Sequence, residues 1–294
     1  MKPATLSGWI FALAIVFPAQ PHAATVFNFP NFNSCTGLQV NGNAACTGGV
    51  LRLTPALGGQ GGSTFSGTTI PLGAGASFST FFSFQMTAAG GAGDSDGVGA
   101  DGLTFTVQPN SATVGGSGGG MGYFGIPNSV AAEFDTFDNG VGAGDPNGNH
   151  VGIDLNGSIN SVVTATVFPR FNNGQIWFAW VDYNGSVLEV RVSPTNGRPT
   201  TPNVSLPVNL AAVLGTSQAF VGFTAGTGAG FENHDILTWQ FDNAFAPIGA
   251  AGPVPTLSEM ALGLMALLLA GAGMVFIRRR TRLAGSPKES VRSR

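Results

Sequence analysis

The sequence predicts an all-β sandwich, and three observations carry that prediction. Apolar residues come in short or alternating runs, as in "SFSTFFSFQM" (77–86), "LTFTVQ" (103–108), "IWFAWV" (176–181) and "SVLEVRVS" (186–193), each fitting a strand. Between these runs stand clusters of Gly, Asn, Pro and Ser, the residues that turn a chain. No helical period persists outside the two ends.

Taken in order, the first segment precedes the sandwich. Residues 1–24 place Lys2 before an apolar run from Trp9 to Phe17, with small residues at Ala23 and Ala24. That is the layout of a secretory signal peptide, and a run this short cannot cross a ~30 Å hydrocarbon core. The β domain is expected to follow over residues 25–246. It holds the only cysteines, Cys35 and Cys46, which an oxidising compartment would pair. The loop they close is short, so the bond is worth roughly 2–3 kcal/mol. The Gly-rich segments 87–99 and 114–122 are flanked by aromatic strands and read as loops of one domain. "YNG" at Tyr183 to Gly185 is a hairpin turn signal. Trp177, Trp180 and Trp239 read as core or sheet aromatics, and His234 as a structural strand residue. From Thr25 to Gly252 the chain has four arginines, no lysine and thirteen acids, a net charge of −9. Such a surface has no footprint for nucleic acid.

The stretch "EFDTFDNGVGAGDPNGNH" (133–150) gathers Glu133, Asp135, Asp138, Asn139, Asp145 and His150. Strand parity puts Val130, Ala132 and Phe134 on one face and Glu133 and Asp135 on the other. In "HVGIDL" the apolar Val151, Ile153 and Leu155 likewise oppose His150, Gly152 and Asp154. A hairpin of these two strands brings Glu133, Asp135 and His150 together. Repulsion among such acids is costly unless a cation sits between them. Oxygen atoms of Asp135, Asn139, Asp145 and a backbone carbonyl suit Ca²⁺, which takes six to eight oxygens at ~2.3–2.6 Å. Glu133, Asp135, Asp145 and His150 suit a transition metal such as Mn²⁺. Asp135 and Asp145 would bridge the two ions.

"VAAEFDTFDNG…GDPNGNHVGIDLN" resembles the metal-binding segment of the legume-type (L-type) lectins. The resemblance implies a concanavalin-like jelly-roll β-sandwich and a lectin rather than an enzyme, with Ca²⁺ and Mn²⁺ or another transition metal. It adds the carbonyl of Phe137 to the calcium ligands. "VGADGLTFTVQ" is similar to the segment whose Asp binds sugar hydroxyls, here Asp101, after a cis Ala100–Asp101 bond. "GGGMGYFG" resembles the family's glycine loop, which assigns a donating N–H to Gly122. "GFTAGTGAGFENHDILTWQF" resembles the last sugar loop, with Ala229 and Gly230 at its contact positions. Phe137 would offer its ring, and Asn139 its amide, to the sugar. The expected partner is a glycan or exopolysaccharide.

Two rivals remain at this level. Retaining glucanases of related fold carry an E-x-D-x-x-E strand motif. Here the third position is Asp138, on the face opposite Glu133 and Asp135, while such chemistry needs carboxyls ~5–5.5 Å apart. A surface or matrix protein could also keep the fold without binding sugar. Whether copies assemble into a homo-oligomer is not encoded in composition.

The C-terminal end reads as a separate device. Residues 247–259 form a linker and a sorting motif, "VPTL". Residues 260–277 are an uncharged run of eighteen, about 27 Å of helix and enough to span a bilayer. Arg278, Arg279 and Arg280 then set the basic tail 278–294 on the cytoplasmic side. The pattern resembles the IPTL/PEP-CTERM-like sorting tails cut by exosortase-type proteases. It implies an exported protein, anchored in the membrane by this helix until processed, at the cell surface or outside it.

Overall fold

A computed structural model describes residues 25–72, 76–116 and 118–249. The expected signal peptide and the expected C-terminal helix and tail lie outside the described residues. Among the described residues no helix is long and apolar enough to cross a membrane.

Two antiparallel sheets face each other. The first runs β16 (Val204–Pro207), β15 (Val187–Ser193), β14 (Ile176–Tyr183), β7 (Phe78–Gly91), β18 (Gly230–Asp242), β4 (Val50–Thr54) and β3 (Ala45–Thr47), with β1 (Thr25–Phe29) also paired to β18. The second runs β13 (Val163–Thr166), β12 (His150–Leu155), β11 (Val130–Asp135), β10 (Gly102–Gln108), β17 (Gln218–Gly226), β5 (Gly61–Ser66) and β2 (Leu38–Gly42), with β6 (Ile70–Pro71) beside β17. Strands adjacent in sequence often sit in opposite sheets, as β4 and β5 or β17 and β18 do. That interleaving makes the two sheets one folding unit. A two-strand hairpin, β8 (Gly93–Asp94) with β9 (Gly97–Val98), stands apart from both.

The core is aromatic because alternate residues of facing strands meet there. Phe82 of β7 lies edge-on to Phe223 of β17 at a centroid distance of 5.0 Å and to Phe134 of β11 at 5.6 Å. Trp177 and Trp239 join this cluster, while Trp180 is buried on the outer face of the first sheet against Phe81 at 5.3 Å. Removing such a ring, as in Phe82→Ala, costs about 3–5 kcal/mol.

Local signals act as their chemistry requires. The Asn184 carboxamide accepts the N–H groups of Ser186 and Val187, both at 2.9 Å, closing the β14–β15 hairpin. Cys35 and Cys46 are disulfide-bonded with their Cα atoms 5.8 Å apart. The segments 87–99 and 114–122, read from the sequence as loops, hold the end of β7, the β8–β9 hairpin and a 3-10 turn at Gly118–Gly120, and a single helical turn, α1 (Leu210–Leu214), also departs from the sequence reading. Asn209 caps it by accepting the Ala212 N–H, and Gly215 ends it in the left-handed conformation at φ 68°. Five residues are too few to leave a helical period in the sequence.

Candidate functional site

The second sheet positions the acidic residues. Val130, Ala132 and Phe134 of β11 face the core, so Glu133 and Asp135 face the other way. Register pairs Asp135 with His150 and Glu133 with Gly152. Gly152 is needed there, since a Cβ would collide with the Glu133 carboxylate and the Ser161 hydroxyl. Ligand atoms of Glu133, Asp135 and His150 all lie within 4.8 Å of one another, and all three side chains are buried. Asp145 joins them from the loop, its Oδ1 4.0 Å from His150 Nε2.

The imidazole is oriented for ligation. His150 Nδ1 lies 2.9 Å from the Asn147 carbonyl, an acceptor, so Nδ1 carries the proton. That leaves a lone pair on Nε2, which faces Glu133 Oε1 at 3.2 Å. Two acceptors this close need a proton or a metal between them. Burial, then the charges of Glu133 and Asp145, push the Asp135 carboxyl well above its ordinary range. Burial also raises Asp145, against the Asn139 N–H that its Oδ2 accepts at 2.7 Å. For His150, burial opposes the charged ring, but the Glu133 hydrogen bond and the charges of Glu133 and Asp145 prevail and raise it. A divalent cation relieves every one of these penalties, so the donor set fits a metal.

The loop after β11 carries the remaining predicted ligands. Phe137 is half-buried and donates its N–H to Asp135 Oδ1 at 2.7 Å. Its carbonyl lies 3.4 Å from Asn139 Nδ2, and Asn139 itself is exposed. A Cβ on Gly119 would come 3.1 Å from Asn139 Oδ1, so the glycine loop borders that amide.

Asp101 follows a cis Ala100–Asp101 peptide bond and is 4 % exposed. Its N–H donates to the Gly226 carbonyl at 3.1 Å, and its carbonyl accepts the Thr136 N–H at 3.1 Å. Its Oδ2 has no hydrogen-bond partner among the described residues. Burial raises this carboxyl to about 6, with His234 opposing and Glu232 adding to the shift. Gly122 has a φ of 71° and packs against Thr224, whose hydroxyl donates to the Met121 carbonyl at 2.7 Å. Among the described residues no acceptor takes the Gly122 N–H. Ala229 is exposed, while Gly230 is buried at the start of β18, where a Cβ would come 2.7 Å from that of Ala100.

Several residues the sequence reading passed over share this site. A Cβ on Gly228 would come 3.4 Å from Asp101 Oδ2. Ser161 Oγ lies 2.6 Å from both Glu133 Oε1 and Asp154 Oδ1. One hydroxyl proton cannot serve two carboxylates, and burial followed by the Glu133 charge raises Asp154 well above its ordinary range. Glu232 is fully buried, accepts the Thr136 hydroxyl at 2.7 Å and stands 3.3 Å from His234 Nε2. His234 Nδ1 pairs with the Thr54 hydroxyl at 2.6 Å, a buried strand-to-strand contact.

A family model for the legume lectin domain matches residues 24–251, and one for the IPTL-CTERM motif matches residues 253–280. The chain belongs to the legume lectin family. It is 33% identical over 259 residues to the L-type lectin-domain containing receptor kinase VIII.1 of Arabidopsis thaliana, a match covering 80% of this chain and 34% of the kinase. The chain therefore spans about a third of the length of that relative. Lectin 7 of Medicago truncatula is 32% identical over 265 residues, covering 81% of this chain and 96% of Lectin 7. Among solved structures, winged bean acidic lectin complexed with methyl-α-D-galactose matches with a TM-score of 0.64 at 29% identity, over 75% of this chain and 98% of that one. The all-β sandwich of the legume lectins is thus the fold of this chain, and the resemblance read from the sequence holds at both ends of the domain architecture.

Proposed function

We propose that this legume lectin domain is an exported, metal-dependent receptor for carbohydrate. Asp101, Gly122, Phe137, Asn139, Ala229 and Gly230 would surround the sugar. Glu133, Asp135, the Phe137 carbonyl, Asn139, Asp145 and His150 would hold Ca²⁺ and Mn²⁺, or another transition metal in place of the second. The observation that carries the reading is the Asp101 carboxylate, buried with a partnerless Oδ2 beside the loop that bears Asn139. A buried acceptor without a partner is costly, and a vicinal diol supplies two donors. The free Gly122 N–H adds a donor for a sugar oxygen, and the Phe137 ring an apolar face for C–H groups.

Bound divalent ions supply counter-charge to the carboxylates and fix the loop oxygens. The chain does the rest: His150 is held by Asn147, Asp145 holds the Asn139 backbone, and Thr136 holds Asp101. Such ordering lowers the entropy cost of capturing a sugar. The sugar in the winged bean structure supports a carbohydrate ligand without naming this chain's own. The IPTL-CTERM motif supports export with a C-terminal tail. We place the mature domain at a bacterial cell surface or in the surrounding matrix, anchored by residues 260–277 until a sorting protease acts. A hydrolase reading gains nothing from the loop, because the Asp138 carboxylate accepts the Gly140 N–H at 2.7 Å and so caps a turn.

A glycan array with the exported domain, run with ions and with chelator, tests the reading. Chelation and Asp101→Asn should each remove binding while far-UV circular dichroism keeps its β signature. Chelator-resistant binding at full strength, or no binding by ion-loaded protein, would falsify it.

A further inference from the structure

The β8–β9 hairpin has no part in the site described so far, yet its two acids reach both ends of the loop that carries Asn139 and Asp145. Asp94 Oδ2 accepts the N–H of Asp138 at 2.8 Å, and Asp96 Oδ2 accepts the N–H of Gly148 at 2.9 Å. The other oxygen of Asp94 is aligned by its own turn, accepting the N–H groups of Asp96 at 2.8 Å and Gly97 at 3.1 Å. Arg170 ties the arrangement together. Its Nη1 lies 3.3 Å from Asp94 Oδ1, its Nη2 donates to the Thr136 carbonyl at 2.7 Å, and its Nε donates to Asn172 Oδ1 at 3.1 Å. Asn172 returns a hydrogen bond to the Val98 carbonyl of the hairpin at 3.1 Å. The approach is close enough that a Cβ on Gly148 would collide with the Asp94 carboxylate. Although burial opposes it, these N–H groups and Arg170 hold the Asp94 carboxyl below its ordinary range.

We propose that this hairpin is a latch on the metal loop: Asp94, Asp96 and Arg170 are positioning residues that hold residues 136–148 in ligating shape and so set ion affinity without touching ion or sugar. The inference rests on the metal-dependent reading above. The loop contains Gly140, Gly142, Gly144 and Gly148, so without restraint it would lose much backbone freedom on ligation. A loop already in shape keeps that entropy cost out of the binding step. Both oxygens of Asp94 accept from N–H groups, so an amide in its place sets a donor against a donor.

The test compares wild type with Asp94→Asn, Asp96→Asn and Arg170→Gln, and with Val190→Ala, a core change on β15 that lowers stability away from the site. Elemental analysis along a chelator titration reads ion retention, and amide exchange of Asp138 and Gly148 in chelated protein reads the latch itself. Asp94→Asn should release its ions at about tenfold lower chelator, about 1.4 kcal/mol, and speed both amides. Val190→Ala should change neither, although its Tm falls. Arg170→Lys, which keeps the charge but loses the planar fork, should fall between wild type and Arg170→Gln. Wild-type retention in Asp94→Asn overturns the latch, as does fast exchange of both amides in wild type. Wild-type protein that retains no ions overturns the metal reading instead, and the exchange arm still decides the latch.

Discussion

The sandwich buries carboxylates in two regions and neutralises them differently. On the outer face of the first sheet Asp182, 1 % exposed, has Arg198 Nη2 at 2.6 Å and Arg191 Nη1 at 3.8 Å. Arg191 also reaches Glu189 at 2.9 Å, and Arg52 grips Asp235 through two N–H groups at 2.8 and 2.7 Å. At the loop end of the second sheet, Glu133, Asp135 and Asp145 gather around one imidazole, and Asp154 joins Glu133 through the Ser161 hydroxyl. The domain has four arginines; three serve the first sheet and the fourth, Arg170, serves Asp94. Where this chain builds a closed ion pair, it encodes both signs. At the loop end no arginine reaches Glu133, Asp135 or Asp145, and under the proposed function the counter-charge there is a bound cation.

Breaking the closed pair should have the largest effect on stability. Arg198→Met leaves Asp182 buried with only the more distant Arg191, and truncating one partner of such a pair costs about 3 kcal/mol or more. The loss should be independent of metal. Denaturant melts of wild type and Arg198→Met, each with ions and with chelator, should show the same chelation penalty in both, since distant sites add. A chelation penalty that disappears in the variant would mean the two regions are one electrostatic system.

A smaller effect should come from crowding the open cluster. Gly152→Ala sets a methyl against the Glu133 carboxylate and the Ser161 hydroxyl. Overpacking of this kind costs about 2 kcal/mol. Unlike Arg198→Met, it should also weaken ion retention in a chelator titration, because Glu133 must move to make room. Loss of stability with wild-type retention would show that Glu133 has slack and does not ligate from this position.

What the sequence disclosed divides along similar lines. The parity of β11 and β12 was legible, because alternation alone puts Glu133, Asp135 and His150 on the face away from Phe134. The closed pairs and the hairpin latch were not. Asp94 meets Asp138 and Arg170 across 44 and 76 residues, and no local pattern announces such partners. Glu232 and Gly228 were passed over for the same reason. Their importance comes from Thr136 and Asp101, residues distant from them in the sequence. The helical turn at Leu210–Leu214 escaped because one turn has no period, although Asn209 and Gly215 are the caps that mark it.

A pH dependence is also expected at Asp101, and its two halves have opposite signs. Its carboxyl is raised from 3.8 to about 6 in the fold, chiefly by burial. The folded state therefore holds this proton more tightly than the unfolded chain. The group favours folding at low pH, and that contribution is lost as pH rises from about 4 through about 6. Sugar capture runs the other way, since accepting two hydroxyl protons requires the carboxylate. With ions in excess, affinity should fall between pH 7 and pH 5 by at most about tenfold, because bound cations lower a carboxyl that titrates at about 6 without them. In metal-free protein, Asp101→Asn should make the decline of Tm above pH 4 shallower, the remainder coming from Asp135, Asp145 and Asp154. A wild-type affinity flat from pH 7 to pH 5 would place Asp101 among the neutralised carboxylates and remove it from the sugar site.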